Sequence, residues 1–221
     1  MKKYELTEET FTVFGKTLYR IRAVRDFGSV KTGEFGGYIE KEENLSHFGN
    51  AWISGDAWVY GDARVSGNAR VFGNAWVYGN ARVFGNVWVY GNAKVFGNAW
   101  VCGNAKVCGE AKVFGNAWVY GNAKVCGNAK VCGNAKVCGE AKVSNTRHFF
   151  VQGPIGSRND FVTFYRTTNN TVGVRCGCFS GSLQKFVDRV EETHGGSRYE
   201  KEYKLAVELA KVCIHLEGES K

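Results

Sequence analysis

The sequence predicts a mainly β protein whose centre is a solenoid, a chain wound into regular coils. Three observations support this prediction. Glycine occurs at every sixth residue from Gly49 to Gly139 without a break, sixteen times in all. The chain around these glycines repeats Gly-Asn-Ala-x-Val-x, as in residues 73–78. Within each repeat Ala and Val lie two positions apart, so both side chains point to the same side of an extended strand.

The Gly-Asn pairs explain how one strand can turn into the next. Both residue types tolerate the positive φ that a sharp corner requires. The small inward Ala and Val leave room only for a tightly wound coil. These residues resemble the hexapeptide-repeat left-handed parallel β-helix family, in which an aliphatic residue is followed four positions later by a small one, as Val71 is by Ala75. That family has three repeats per triangular coil, so the resemblance implies a left-handed parallel β-helix of about five coils.

The repeats divide the chain into three segments. Residues 47–144 form the predicted β-helix, preceded by a short N-terminal β cap at 1–46 and followed by a small C-terminal α+β domain at 145–221. A cap is needed because open strands at the end of near-identical repeats invite end-to-end pairing and slippage of the register.

The N-terminal cap begins with a predicted hairpin. Residues 12–14 and 18–24 have the composition of strands, and the chain turns between them at Gly15-Lys16. This leader, followed by such repeats, resembles hexapeptide-repeat proteins encoded by bacteriophages and prophages. The resemblance implies a phage context and by itself no chemistry.

The C-terminal segment predicts three strands and two helices. The strands cover residues 149–151, 161–165 and 171–175, where aromatic and β-branched residues cluster between turn residues. Ser182 and Ser197 then each precede a segment with an apolar stripe at helical spacing, the pattern of a helix with a serine N-cap.

Charge and hydropathy limit the function classes. The chain carries a net charge of +8, and residues 47–144, with ten basic and four acidic residues, supply +6 of it. Lysines spread over all three sides of a triangular coil favour solubility over the groove-following stripe of a DNA-binding protein, so nucleic acid is not an expected partner. No apolar run approaches the ~20 residues that span a bilayer, and the first residues lack an apolar signal core. The sequence therefore predicts a cytoplasmic protein with no membrane partner.

The eight cysteines fit that compartment. Five of them occupy the position after Val that Phe, Tyr or Ser fills in other repeats, where cysteine behaves as a small hydrophobe. These five are Cys102, Cys108, Cys126, Cys132 and Cys138. No cysteine pair has a histidine at zinc-finger spacing, so reduced structural thiols are favoured over a disulfide ladder or a metal site.

Aromatic residues fall in outward columns when the repeats are arranged three to a coil. The early coils carry Trp and Tyr in these columns, and the later coils carry Lys. Exposed aromatic patches of more than a few hundred Å² usually mark an interface. We therefore expect a homo-oligomer, with a trimer preferred because trimers are common in the family that the repeats resemble. The expected interface residues are Trp58, Tyr60, Trp76, Tyr78 and Phe96. The alternative is that these rings only shield the thin solenoid.

Two glycine-rich segments of the C-terminal domain predict a site for a small anionic ligand. In residues 153–160, glycines let the backbone approach a ligand beside a hydroxyl and a guanidinium. Residues 176–182 precede a helix N-terminus, a position that favours anions. The candidate ligand-binding residues are Gly156, Ser157, Arg158, Arg175, Cys178, Ser180 and Ser182. The alternative is a pair of exposed loops with a solvated arginine.

Catalysis has less support in the sequence than binding. Acyltransferases of the left-handed β-helix family place a histidine at a subunit interface and interrupt the repeats with a loop, and carbonic anhydrases of this fold need three histidines on zinc. The histidines here, His47, His148, His194 and His215, lie outside the regular repeats, which no loop interrupts. A Cys178–His194 nucleophile pair is the remaining enzymatic arrangement. No catalytic residue, metal or cofactor is predicted.

The sequence thus predicts a non-catalytic, oligomeric binding protein that captures a small anionic ligand, with a nucleotide as the favoured class. The phage resemblance implies that the protein sequesters a signalling nucleotide of host immunity in the host cytoplasm, without turnover. Two alternatives stay open. One is a structural or host-protein-binding scaffold, and the other is an acyltransferase-like or nucleotide-cleaving enzyme.

Overall fold

The computed structural model describes residues 2–218, and its repeats form a parallel β-helix. Between residues 52 and 143, sixteen strands of two residues each alternate with Gly-Asn corners. In chain order from β4 to β19 they are Trp52–Ile53, Trp58–Val59, Arg64–Val65, Arg70–Val71, Trp76–Val77, Arg82–Val83, Trp88–Val89, Lys94–Val95, Trp100–Val101, Lys106–Val107, Lys112–Val113, Trp118–Val119, Lys124–Val125, Lys130–Val131, Lys136–Val137 and Lys142–Val143. The predicted mainly β fold and its solenoid are confirmed, and left-handedness stays a prediction.

Strands three apart in the chain lie side by side, so each coil contains three strands. The three faces run β5-β8-β11-β14-β17, β4-β7-β10-β13-β16-β19 and β6-β9-β12-β15-β18. The register pairs each residue with its equivalent in the neighbouring coils, as Trp88 pairs with Arg70 on one side and Lys106 on the other. The outward columns predicted from three repeats per coil are therefore confirmed.

The core of the β-helix is filled by small aliphatic side chains. The inward Ala and Val are fully buried, as at Ala75 and Val77. Burial of each valine side chain contributes about 1.5–3 kcal/mol relative to its exposure to water. Backbone hydrogen bonds join the coils, as where the N–H of Trp76 donates to the carbonyl of Ala93 at 2.9 Å. Since the interior is occupied, binding has to take place on the outside of the solenoid or in the terminal segments.

The corners are held by stacked Gly-Asn pairs. Gly73, for example, has a φ of 70°, a conformation that costs glycine little. The asparagine side chains form ladders along the corners, as where the amide of Asn68 donates to Oδ1 of Asn86 at 3.0 Å. Where glutamate replaces asparagine, as at Glu140, its carboxylate accepts from Asn122 at 2.7 Å. Most corners thus have a side-chain hydrogen bond beside their backbone bonds.

The N-terminal segment extends one face of the solenoid. Its strands are β1 (Tyr4–Val13), β2 (Lys16–Ala23) and β3 (Phe35–Ile39). β1 and β2 form an antiparallel hairpin, β2 pairs antiparallel with β3, and β3 pairs in parallel with β5. The predicted hairpin is confirmed, but its turn lies at Phe14-Gly15, with φ values of 48° and 73°, one residue earlier than expected.

Buried polar side chains fasten this segment to the first coil. Nζ of the fully buried Lys3 donates to the carbonyl of Ala51 at 2.7 Å, and the Tyr4 hydroxyl donates to the carbonyl of Leu45 at 2.7 Å. Asn44 ends a 3₁₀ turn, Glu42–Asn44, and its amide donates to two carbonyls of the first coil at 3.0 and 2.9 Å. The start of the solenoid is therefore covered.

The C-terminal segment is an α+β unit, as predicted. A four-stranded antiparallel sheet has the order β20-β21-β22-β23. After a 3₁₀ turn at Thr146–His148, the elements are β20 (Phe149–Ile155), β21 (Asp160–Arg166), β22 (Val172–Cys176), β23 (Phe179–Ser182), α1 (Leu183–His194) and α2 (Arg198–Cys213). β23 was not predicted, because its Phe-Ser-Gly-Ser sequence has little strand propensity. Pairing with β22 makes it a strand.

Both helices begin at the predicted serines. The Ser182 hydroxyl accepts from the N–H of Lys185 and the Ser197 hydroxyl from the N–H of Glu200, each at 3.4 Å. The Glu200 carboxylate reaches back to the N–H of Gly196 at 2.7 Å. Within the described residues, no helix is both long and apolar enough to cross a bilayer.

The C-terminal sheet covers the last coil of the solenoid with the face that points away from the helices. The N–H of Lys136 donates to the Thr163 hydroxyl of β21 at 2.9 Å. Beside it, Sγ of Cys138 lies 3.3 Å from the Tyr165 hydroxyl. The second open end of the solenoid is therefore closed by β21, a role that the sequence did not indicate.

Candidate functional site

The two predicted ligand segments meet at one cavity of about 270 Å³ in the C-terminal domain. The turn between β20 and β21 contributes Ser157 and Arg158, and the turn between β22 and β23 contributes Cys178. Strand residues and one side of each helix complete the wall with Asp160, Cys176, Phe179, Phe186, Arg189, Thr193, His194 and Tyr203. The cavity therefore combines cationic, hydroxyl, thiol and aromatic groups from four parts of the domain.

Gly156 lets the first turn lie directly against α2. Its φ is 73°, and a Cβ at this position would lie 1.9 Å from the Tyr203 hydroxyl. The N–H of Gly156 donates to the Glu202 carboxylate at 2.7 Å, so this amide is not free for a ligand. Gly156 thus positions Ser157 and Arg158 at the cavity and does not itself face it.

The cationic groups of the cavity differ in how they are paired. Arg189 forms an exposed ion pair with Glu192 at 2.8 Å, and Asp160 lies 3.6 Å from Nζ of Lys136. Nothing in residues 2–218 forms an ion pair or a hydrogen bond with the side chain of Arg158. Its guanidinium is therefore the group most available to an incoming anion.

The back wall of the cavity contains a hydroxyl and a thiol that burial keeps protonated, those of Tyr203 and Cys176. The Tyr203 hydroxyl lies 3.9 Å from Sγ of Cys176, and its ring centroid lies 5.8 Å from that of His194. Burial raises the pKa of both Tyr203 and Cys176. A protonated thiol is a poor nucleophile, so the exposed Cys178 is the only candidate nucleophile among the cavity thiols that the structure describes.

Three predicted ligand residues lie away from this cavity. Arg175 and Ser180 pair with each other in the register, and both contact the solenoid, Arg175 at the Tyr120 ring and Ser180 at Cys138. Nη1 of Arg175 donates to the carbonyls of Cys178 and Phe179 at 3.2 and 3.4 Å. Ser180 Oγ lies 3.7 Å from Sγ of Cys138. Alternation along a strand explains this, because neighbouring positions of β22 face opposite sides.

Ser182, the third of these residues, caps α1 and lines a different cavity of about 360 Å³ near the C-terminal end of α2. Arg175, Ser180 and Ser182 therefore do not line the cavity that Arg158 lines. The structure brings together Ser157, Arg158 and Cys178, with Gly156 behind them.

The helices supply cavity residues that the sequence analysis missed, namely Arg189 and Thr193 on α1 and Tyr203 on α2. His194, which the sequence suggested only as the partner of Cys178 in a nucleophile pair, lies on the same side of α1 and lines the cavity together with Cys178. Their spacing along the helices could be read from the sequence, but helical spacing beside an apolar stripe indicates packing and does not identify residues that line a cavity. In the described part of the chain, no three His, Cys, Asp or Glu side chains are grouped so as to hold a metal ion.

The predicted interface residues form stacks within one chain. Tyr60, Tyr78 and Phe96 follow one another along a corner, with ring centroids 5.0 and 4.9 Å apart and ring planes within 1°. Trp58 stacks on Trp76 at 4.7 Å. The stacks follow from the register, because equivalent positions in successive coils lie about 4.8 Å apart, close to the contact distance of two rings.

These rings are less exposed than the sequence analysis expected. Tyr60 is 7% exposed, and Trp52 is 2% exposed beneath Phe27 and its neighbours in the N-terminal segment. The expectation that the early coils present their aromatic residues to solvent is wrong at these positions, because Phe27 packs on Trp52 and Tyr78 stacks on Tyr60. Trp88 and Trp118 are more exposed, at 44% and 42%.

Part of the solenoid is similar to a known repeat family. Residues 63–79 and 77–91 match the YdcK beta-solenoid repeat. The matched stretches lie within the regular coils, so the similarity agrees with a repeat β-helix fold. A comparison with curated proteins finds no match.

Proposed function

We propose that this protein is a non-catalytic binding protein that holds a small anionic ligand, with a nucleotide as the favoured class, in the C-terminal cavity. The observation that carries the proposal is the convergence of Ser157, Arg158 and Cys178 on the side of α1 that bears Arg189 and His194. Guanidinium groups form paired, charge-assisted hydrogen bonds with phosphate and carboxylate. The unpaired Arg158 is the principal anchor in this proposal.

The size of the cavity supports a small ligand. Its volume of about 270 Å³ is near the lower end of ligand pockets, which begin at about 300 Å³. A phosphate with its adjoining sugar fits such a volume, and a larger ligand would extend over the exposed rim. The aromatic wall of Phe179, Phe186 and Tyr203 suits the less polar part of the ligand.

One of the two cavity thiols is unsuited to catalysis, because burial raises the pKa of Cys176 and keeps it protonated. Cys178 is exposed on a turn and stays the candidate nucleophile of the enzymatic alternative. Capture without turnover is the role that the phage resemblance of the leader and repeats implies. We therefore propose sequestration of a signalling nucleotide, a counter-defence function, as the biological role.

Analysis of released ligand tests this function. The protein is incubated with a panel of cyclic and linear nucleotides, separated from free ligand, and denatured, and the released compounds are identified by mass spectrometry. Intact nucleotide is the expected result. Recovery of an altered nucleotide would instead indicate an enzyme. Recovery of no nucleotide would contradict the proposal and favour a structural or protein-binding scaffold.

Replacement of the anchor locates the site. Arg158→Ala is expected to weaken binding of the retained nucleotide by ~1–3 kcal/mol, the value of a charge-assisted hydrogen bond. Arg147→Ala is the matched control, because Arg147 is an exposed arginine of the same domain outside the cavity. Equal affinity of the two variants and the wild type would remove Arg158 from the site.

A second candidate function, binding of a protein partner or of another copy of the chain, is favoured by one feature of α2. Leu205, Leu209 and Val212 follow one another along its outer side and are 71%, 46% and 77% exposed. Contiguous exposed apolar side chains are typical of an interface. In the proposed homo-oligomer, with a trimer preferred, this stripe acts together with the column that contains Trp58 and Trp76.

A further inference from the structure

A second site of a different construction lies on the solenoid, at the opposite end from the C-terminal cavity. A groove of about 460 Å³ runs across the first three coils of the face formed by β6, β9 and β12. Arg64, Arg82, Ser66, Phe84 and Trp100 line it from the repeats. The N-terminal segment adds Glu43 and Ser46 on one rim. None of these residues belongs to the site proposed above.

The groove exists because aromatic rings are missing from the beginning of one corner. Tyr60 and Phe72 occupy the position after the inward Val on the other two corners, and each stacks on a ring in the next coil. On the third corner the equivalent residue is Ser66, and Ser46 lies before it, where its N–H donates to the carbonyl of Val65 at 2.9 Å. Two hydroxyl side chains in place of two rings leave the volume open.

Two arginines lie in register along this groove. Arg64 of β6 pairs with Arg82 of β9, so the side chains start about 4.8 Å apart. Like charges directly opposite each other repel. Throughout residues 2–218, no carboxylate forms an ion pair with either guanidinium. The carboxylate whose pKa responds to Arg64, that of Asp62, is already paired with another cation at 2.7 Å.

One of the two guanidiniums is already oriented. The Cζ atom of Arg82 lies 5.2 Å from the centroid of the Trp100 ring. This cation–π contact holds the planar group on the ring, so less side-chain entropy is lost when its edge binds an anion. Phe84 meets the same ring edge to face at 5.9 Å, and together they form an apolar end wall.

We propose that this groove binds a nucleoside monophosphate. The phosphate lies between Arg64 and Arg82, where it relieves their repulsion and accepts hydrogen bonds from both guanidiniums. The nucleoside lies along Ser46 and Ser66, and the Glu43 carboxylate on the rim accepts from its hydroxyl or amino groups. A single phosphate is favoured because the groove has two cations and an acidic group at its rim.

The test uses the chain labelled with 5-fluorotryptophan, observed by ¹⁹F NMR. The chain has six tryptophans, and the Trp100 resonance is assigned by its loss in Trp100→Phe. The probes are adenosine 5′-monophosphate and adenosine. The monophosphate is expected to shift the Trp100 resonance in a saturable manner, and adenosine at the same concentrations is expected to leave it in place.

Two double variants separate a built site from general attraction to a basic surface. Arg64→Gln with Arg82→Gln is expected to weaken the monophosphate effect at least tenfold. Lys112→Gln with Lys130→Gln removes the same charge from an in-register pair on another face and is expected to leave it unchanged. Equal weakening by both pairs, equal shifts with adenosine, or no shift with the monophosphate would each overturn the proposal.

The Trp100 experiment tests the solenoid groove separately from the C-terminal cavity. Arg158→Ala is expected to leave the Trp100 response intact even if it abolishes retention of nucleotide in the release experiment. Conversely, failure of the solenoid groove would leave the release experiment unaffected. A Trp100 response that disappears in Arg158→Ala would overturn the assignment of the monophosphate to the groove.

Discussion

Stacking of glycine on glycine makes the tolerance of a corner to a methyl group depend on its place in the solenoid. Gly85 lies in the middle, with a φ of 85°, and a Cβ there would lie 2.8 Å from the carbonyl oxygen and 3.0 Å from the nitrogen of Gly103. Gly133 lies in the last coils with a φ of 65°, and a Cβ there would meet nothing within 4 Å. The pair Gly85→Ala and Gly133→Ala therefore separates contact between coils from backbone strain.

The magnitudes follow from these two terms. Both variants carry the strain of a left-handed residue with a Cβ, roughly 1–2 kcal/mol, reduced by about 0.4–1 kcal/mol because alanine restricts the unfolded chain. Gly133→Ala is thus expected to lower the free energy of unfolding by about 1 kcal/mol. Gly85→Ala adds overpacking against a rigid backbone, typically ~1–3 kcal/mol, because backbone atoms cannot rotate away as a side chain could.

Urea denaturation followed by far-ultraviolet circular dichroism measures the difference. Gly85→Ala is expected to unfold at a lower urea concentration than Gly133→Ala, with a slope that matches the wild type. Equal urea midpoints of the two variants would refute the reasoning, because they would mean that backbone strain at positive φ alone accounts for the loss of stability. A lower midpoint for Gly133→Ala would contradict the close approach of the coils at Gly85.

Burial lowers the pKa of Lys3 from 10.5 to about 8. Between these pH values the unfolded chain therefore binds more protons than the folded chain, and the free energy of unfolding rises with pH. Relative to Lys3→Met, the wild type is expected to gain roughly 2–3 kcal/mol in free energy of unfolding between pH 7 and pH 10, measured by urea denaturation. Gly156→Ala is expected to displace the turn from Tyr203 and to lower both the melting temperature and the amount of nucleotide retained. Light scattering is expected to give an oligomer, with a mass of three chains of 24.4 kDa preferred, and replacement of Trp58 and Trp76 together by Ser is expected to weaken assembly. A wild-type mass equal to one chain would contradict the oligomer.

The solenoid could be predicted from the sequence because its determinants are local. Each repeat contains its own corner, its own strand and its own inward pair, as Gly73 to Tyr78 illustrate. The spacing of Ala75 and Val77 decides which side is buried without reference to any distant residue. The same holds for the two helices, whose serine caps act on amides three residues away. Local hydrogen bonds and side-chain spacing were sufficient in these segments.

The cavity could be predicted only in part, because strand pairing decides which side chains share a face. Arg158 and Cys178 lie on turns at the same end of the sheet, and the adjacency of these glycine-rich segments was a reasonable expectation from the sequence. Arg175 faces the other way because it sits one position from Cys176 on β22. β23 itself depends on its partner strand more than on its own composition, so no local signal identified it.

The sequence by itself determined the period, the inward and outward sides of every coil, and the helix starts, because each depends on residues a few positions apart. Only the tertiary structure decided how the ends are covered: Lys3 reaches Ala51, and Thr163 meets Lys136. It also decided that Tyr60 is buried and that Arg64 and Arg82 border an open groove. These features depend on contacts between residues far apart in the chain, and such contacts form only when the coils and the two terminal segments pack together.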